Sequence, residues 1–141
     1  MREPLPPNEN SGSALRDYEQ LLPRVLAAMY PQTPQRERVE KLLKRYGTKR
    51  FHQEPARVRL GVLRLASDHH DDENKLKSLI DFACEDFRDL LVAAEYPLSA
   101  RKYQLSKTDP DQYRNLQAKE AREYDNWLTR TLGKSIDRNT R

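Results

Sequence analysis

The sequence predicts an all-α fold, a compact bundle of about five helices, and three observations predict it. Apolar residues recur at helical spacing in five separate stretches. The chain is 36% hydrophobic and 34% charged, a balance that suits helices burying one stripe each and solvating the rest. Only four glycines are present, too few for the turns of a β sandwich. At 141 residues the chain fits one domain with one modest core. The expected layout is a flexible N-terminal tail over 1–13, a single helical domain over 14–133 and a polar C-terminal tail over 134–141.

Each element follows from its residues. The segment MREPLPPNENSGS has too little apolar surface to offset the entropy of ordering it, hence the tail. Leu15, Tyr18, Leu22, Val25, Leu26 and Met29 share one helical face, which predicts a first helix over 14–30, kinked at Pro23 and ended by Tyr30-Pro31. Thr33 as cap, Pro34 at the first helical position and Gly47 as the stop predict a second helix over 34–46, with Val39, Leu42, Leu43 and Tyr46 inward. A third helix over 55–66 opens at Pro55. Its apolar residues run most of the way round, with Val58, Val62 and Leu65 on one side and Leu60 and Leu63 on another, so it is expected at the centre. Gly61 costs that helix about 1 kcal/mol relative to Ala, and close approach of a crossing helix is the expected compensation.

The fourth stretch carries the cleanest periodicity. Leu76, Leu79, Ile80, Ala83, Phe87, Leu90, Leu91 and Ala94 fit one face and predict a single helix over 72–95, with acidic residues in the first turn complementing its dipole. After Tyr96-Pro97 comes a link with a short helical turn around Ala100 to Leu105. Asp109-Pro110 then opens a fifth helix over 110–132, with Tyr113, Leu116, Ala121, Tyr124, Trp127, Leu128 and Leu132 inward and Gly133 as its stop.

Charge is unevenly placed. Residues 36–67 hold ten basic and three acidic side chains, while residues 68–95 hold nine acidic and three basic ones. Antiparallel packing of the two segments would pair their rims, and a head-to-tail or twofold dimer could use the same complementarity. Arg38, Lys41, Arg45, Lys49 and Arg50 are the candidate phosphate-binding residues, because clustered cations interleaved with Tyr46, Phe51 and His52 suit a nucleic-acid backbone. A solvated helix face is the competing reading. Asp81, Glu85 and Asp89 form an acidic ridge on the outer side of the fourth helix. Phe82 points away from that helix's main stripe, with Asp86 and Asp89 following it at helical spacing. Phe82, Asp86 and Asp89 are therefore candidate interaction residues, and the last helix is the expected cover for Phe82.

Specific chemistry finds little support. Neighbouring ligands in His69-His70-Asp71-Asp72-Glu73 diverge, so the run reads as a solvated turn with Asp71 or Asp72 as a cap, and neither a metal nor a cofactor is expected. Cys84, the one cysteine, reads as a small core residue. GxSxG, GxxxxGK[ST] and GxGxxG are absent, so no catalytic residue is assigned. No stretch reaches the length of a membrane span and the N-terminus lacks a signal-peptide core, which together with the single cysteine predicts a cytoplasmic location.

The stretches Pro55-Ala-Arg-Val-Arg-Leu-Gly-Val-Leu-Arg-Leu-Ala and Asp86-Phe-Arg-Asp-Leu-Leu-Val-Ala-Ala-Glu-Tyr-Pro, followed by Trp127-Leu, resemble a group of small uncharacterised bacterial all-α proteins. The resemblance implies a bacterial origin and a common helical core, with Arg88-Asp89 and Glu95-Tyr96-Pro97 as signature positions and Gly61 replacing an alanine. It implies no activity. The functional expectation is a non-enzymatic helical protein-interaction module, as a monomer or a dimer. The alternative is a nucleic-acid-associated protein that binds phosphates through residues 36–59.

Overall fold

A computed structural model describes residues 16–139, with side chains described as far as Gly133. The expected tail over 1–13 lies outside the described residues, and the first helix, expected from 14, begins at Tyr18 behind its cap Asp17. Among those described, the fold is all-helical, with eight α-helices in place of about five. They are α1 Tyr18–Met29, α2 Thr33–Leu43, α3 Pro55–Leu65, α4 Glu73–Glu85, α5 Phe87–Glu95, α6 Pro97–Arg101, α7 Leu105–Thr108 and α8 Pro110–Asn139, with a 3-10 turn over Ser67–His69.

Asp17 opens α1, its carboxylate accepting from the Gln20 amide. The helix continues through the exposed Pro23 without dividing. In α2 the cap is Gln32, with Thr33 already helical and Pro34 in the first turn. This helix ends at Leu43, short of the expected Tyr46, and the chain turns at Gly47 with φ +107°, a left-handed conformation that glycine adopts without strain. The central position of α3 holds: Val58, Leu60, Gly61, Val62 and Leu63 are buried, and the helix packs against α1, α4 and α5. A Cβ at Gly61 would lie 3.1 Å from both the Ala94 Cβ and the Leu90 Cδ1, so the glycine permits the close crossing of α5.

The long fourth helix is broken. Asp86 adopts an extended backbone, φ −156° and ψ 94°, and its carboxylate accepts from the amides of Arg88 and Asp89 at 3.1 and 3.3 Å. An aspartate whose side chain accepts from the amides two and three residues on competes with the helical backbone and starts a new helix. The break turns α5 across α3, and Leu76 and Ile80 of α4 join Leu90 and Leu91 of α5 in one core. The last helix runs past Gly133 to Asn139, so the expected stop and the start of the expected tail fall inside it. Glycine weakens a helix interior without forbidding it, and the space beside Gly133 is open.

Buried polar groups tie the helices together. Glu95, only 5% exposed, accepts from Arg57 Nε and Nη2 at 2.8 and 2.6 Å, joining α5 to α3. Burial pulls the Arg57 guanidinium down, and the Glu95 carboxylate more than reverses it, holding the group above its ordinary range. Arg16 bonds Asp125 and the Ala121 carbonyl of α8 at 2.7 and 3.1 Å. Glu120, in the middle of α8, accepts from the Leu98 and Ser99 amides at 2.8 and 2.9 Å and so caps α6 from a distance.

Several arginines serve the opposite ends of helices. Arg36 donates to the Tyr30 carbonyl after α1, Arg59 to the Leu43 carbonyl at the end of α2 and the Tyr46 carbonyl beyond it, and Arg64 to the Ala94 carbonyl near the end of α5. Cations there satisfy orphan carbonyls and complement the helix dipole. Much of the basic excess of residues 36–67 is thereby consumed inside the fold.

Candidate functional site

The α2–α3 loop is built around two rings. Tyr46 is buried and donates its hydroxyl to the Gln53 carbonyl at 2.7 Å, closing the loop on itself. His52 stacks on Tyr46, with centroids 4.4 Å apart and planes 14° apart, and its Nδ1 accepts from the Gly47 amide at 2.9 Å. An accepting Nδ1 places the neutral ring's proton on Nε2. Phe51 stands edge-on to His52 at 4.8 Å and is 67% exposed, leaving most of a phenyl ring in solvent. Phe51 and Tyr103 are the exposed large hydrophobic side chains among the described residues.

Facing this loop is the break between α4 and α5. Loop and break enclose a groove of about 390 Å³ whose walls include Tyr46, Phe51, His52, Cys84, Asp86 and Phe87. Phe51 supplies exposed apolar area, Tyr46 being buried, and Glu85, Asp86 and Arg88 line the helix side. Lys49 and Arg50 are exposed on the loop, while Glu85 and Asp89 are exposed on the helices. None of these four forms an ion pair among the described residues.

The structure distributes the predicted site residues unevenly. Asp86 lines the groove as the cap of α5, and Asp89 lies in the first turn of that helix. Phe82 is half-buried against the main core. The principal neighbours of α8 are α1, α5, α6 and α7, so the last helix docks there and not on the Phe82 side of α4 as expected. Of the candidate phosphate-binding residues, Arg38 pairs with Glu73 at 3.0 Å and Arg45 with Asp81 at 3.3 Å, which leaves Lys41, Lys49 and Arg50 without a carboxylate partner among the described residues.

These pairs do join the basic and acidic segments, but in the opposite sense to the antiparallel arrangement expected. Gln35 and Arg38 of α2, and Arg45 just past its end, meet Asp71 just before α4 and Glu73 and Asp81 within it in the same rising order, so α2 and α4 run parallel.

Cys84 is exposed on the groove and is not a core residue. Partial desolvation and the neighbouring Asp81 carboxylate raise its thiol above the ordinary range, which lowers the thiolate fraction at neutral pH. The His69-to-Glu73 run is a turn: Asp72 caps α4 through the Asn74 and Lys75 amides, and His70 receives the Tyr30 hydroxyl on its carbonyl at 2.8 Å. Among the described residues no group of three His, Cys, Asp or Glu is placed to hold a metal ion. No described helix is long and apolar enough to cross a membrane.

Sequence reasoning placed the outward aromatic at Phe82 and took Phe51 only as one of the rings interleaved with the candidate phosphate-binding cations, not as an exposed contact residue. A signal for it existed. Phe51 is set between Lys49-Arg50 and His52-Gln53-Glu54, with no apolar neighbour at helical or strand spacing to bury it with. Comparison with protein-family models, with curated proteins and with solved structures finds no match.

Proposed function

We propose that this chain is a helical protein-interaction module whose contact face is the groove between the α2–α3 loop and the α4–α5 break. The observation that carries the reading is Phe51, 67% exposed at the edge of an aromatic-walled recess. Aromatic side chains seated beside a pocket and rimmed by charge are the groups that dominate protein–protein contacts. The groove is also held in shape before any partner arrives: the Tyr46–Gln53 and Gly47–His52 hydrogen bonds fix the loop, and the Asp86 cap fixes the helix break. A preformed surface loses less conformational entropy on binding. Phosphate binding through residues 36–59 has less behind it, since Arg38 and Arg45 are already engaged with carboxylates and Arg36, Arg57 and Arg59 bond within the fold.

A photoreactive phenylalanine analogue at position 51, incorporated in living cells, tests the proposal. Irradiation is expected to give a discrete protein adduct, whereas the same analogue at Tyr103, also exposed but edge-on to Tyr113 and away from the groove, gives none. Position 51 yielding no more adduct than position 103 would refute the contact-face reading.

A further inference from the structure

We propose that the partner seated on this groove is a second copy of the chain, docked about a twofold axis so that each Phe51 enters the other molecule's groove. The inference rests on the contact-face reading and goes beyond it by naming the occupant.

Two features of the patch favour self-pairing. The first is that protrusion and recess stand side by side. A twofold interface presents the same surface from both molecules, so whatever inserts must lie next to whatever receives it. Phe51 is most of a ring in solvent, and the recess bounded by Tyr46, His52 and Phe87 is immediately beside it.

The second feature is charge. The loop carries the exposed Lys49 and Arg50 directly before Phe51, and the helix wall carries Glu85, Asp86 and Arg88, with the exposed Asp89 next along α5; Asp86 is occupied in capping and Arg88 stands 3.8 Å from it, so the helix lip stays net acidic. A wholly acidic or wholly basic partner would match one lip and be repelled by the other. A twofold copy brings each basic lip onto an acidic lip, twice per dimer, and like charges stay apart. Cys84, the single thiol of the chain, lines the groove and reports on its accessibility.

Sedimentation of the full chain over about 1 to 200 µM, a range suited to a small interface, reads the association directly. The wild-type chain is expected to pass from monomer to dimer across it, with labelling of Cys84 by a maleimide slowing in step. Phe51→Ser is expected to weaken association about tenfold or more. Lys49→Glu with Arg50→Glu makes both lips acidic, and Glu85→Lys with Asp89→Lys makes both basic. Each double variant is expected to sediment as a monomer alone, and an equimolar mixture of the two to form the heterodimer.

Circular dichroism checks that the variants keep the wild-type helicity; the mixing step carries the conclusion, because two misfolded variants would not rescue each other. A wild-type chain that stays monomeric over the whole range overturns the proposal. So does a dimer that survives Phe51→Ser and both charge reversals. The position-51 adduct separates the two readings: another protein in the adduct of a monomeric chain leaves the contact face standing and removes the twofold partner, and no adduct removes both.

Discussion

Gly47, Gly61 and Gly133 show how one residue type meets three different constraints. At Gly47 a Cβ would lie 2.5 Å from the Arg59 Nη2 and 2.8 Å from the Pro55 Cβ, on a backbone with φ +107°. Gly47→Ala therefore combines left-handed strain with a clash, and a loss of about 2 kcal/mol or more is expected in chemical denaturation. Gly61→Ala gains up to about 1 kcal/mol of helix propensity, but its Cβ must displace Ala94 and Leu90 by a few tenths of an ångström, and overpacking costs about 1–3 kcal/mol. A small net destabilisation is expected, growing for Gly61→Val. Gly133→Ala meets open space inside a helix and should stabilise by roughly 0.5–1 kcal/mol. An order of stability other than Gly133→Ala, Gly61→Ala, Gly47→Ala would contradict the packing described.

The Arg57–Glu95 pair belongs to the same scale. Glu95→Gln is expected to cost about 3–5 kcal/mol, because the guanidinium keeps its burial and loses its anion, whereas Arg57→Met with Glu95→Leu should recover much of the loss. The resemblance drawn from the sequence marks Glu95 as a signature position. Its burial is not visible there, since a glutamate beside a tyrosine on an amphipathic helix is ordinarily solvated.

Between elements, the decisive feature is the break at Asp86. Asp86→Ala removes the acceptor for two amides and should cost about 1 kcal/mol, measured by denaturation, with Asp86→Asn costing much less. The break also explains what was legible in the sequence. Proline placement locates the end of α1 and the starts of α2 and α3 closely, because Pro31, Pro34 and Pro55 act on their own neighbours. The start of α1 and the end of α2, which no proline marks, fall three to four residues from where they are expected. In residues 72–95 the apolar stripe stays in phase on both sides of Asp86, so pattern alone merges α4 with α5. Gly133 fails as a stop for the converse reason: glycine ends a helix only where the chain then turns. The groove was half-legible. Asp86, Lys49 and Arg50 were singled out, but their meeting with Phe51 depends on the break and on a loop closed by Tyr46, neither of which leaves a periodic trace.

At the scale of the whole molecule, six phenols link folding to alkaline pH. Burial raises the pKa values of Tyr18, Tyr30, Tyr46, Tyr96, Tyr113 and Tyr124 above the usual range. Because the folded pKa exceeds the unfolded one, the folded state favours the protonated phenol. Its stabilisation is complete below the unfolded value of about 10 and is lost as pH climbs beyond it. A buried phenol that stays protonated while its unfolded counterpart ionises loses about 1.4 kcal/mol of stability per pH unit. Tyr30 and Tyr124, the most strongly shifted, carry most of this loss against a typical total of about 5–15 kcal/mol. Helicity and tyrosinate absorbance are therefore expected to change in one cooperative transition above about pH 10. Ionisation that runs to completion with helicity intact would contradict the burial of these rings. Tyr124 sharpens the test: it is fully buried, its ring lies under Arg16 and Arg64, and its hydroxyl has no hydrogen-bond partner among the described residues. Tyr124→Phe removes a desolvated hydroxyl that bonds to nothing, so a gain of about 1 kcal/mol at neutral pH is expected, together with an alkaline transition displaced to higher pH.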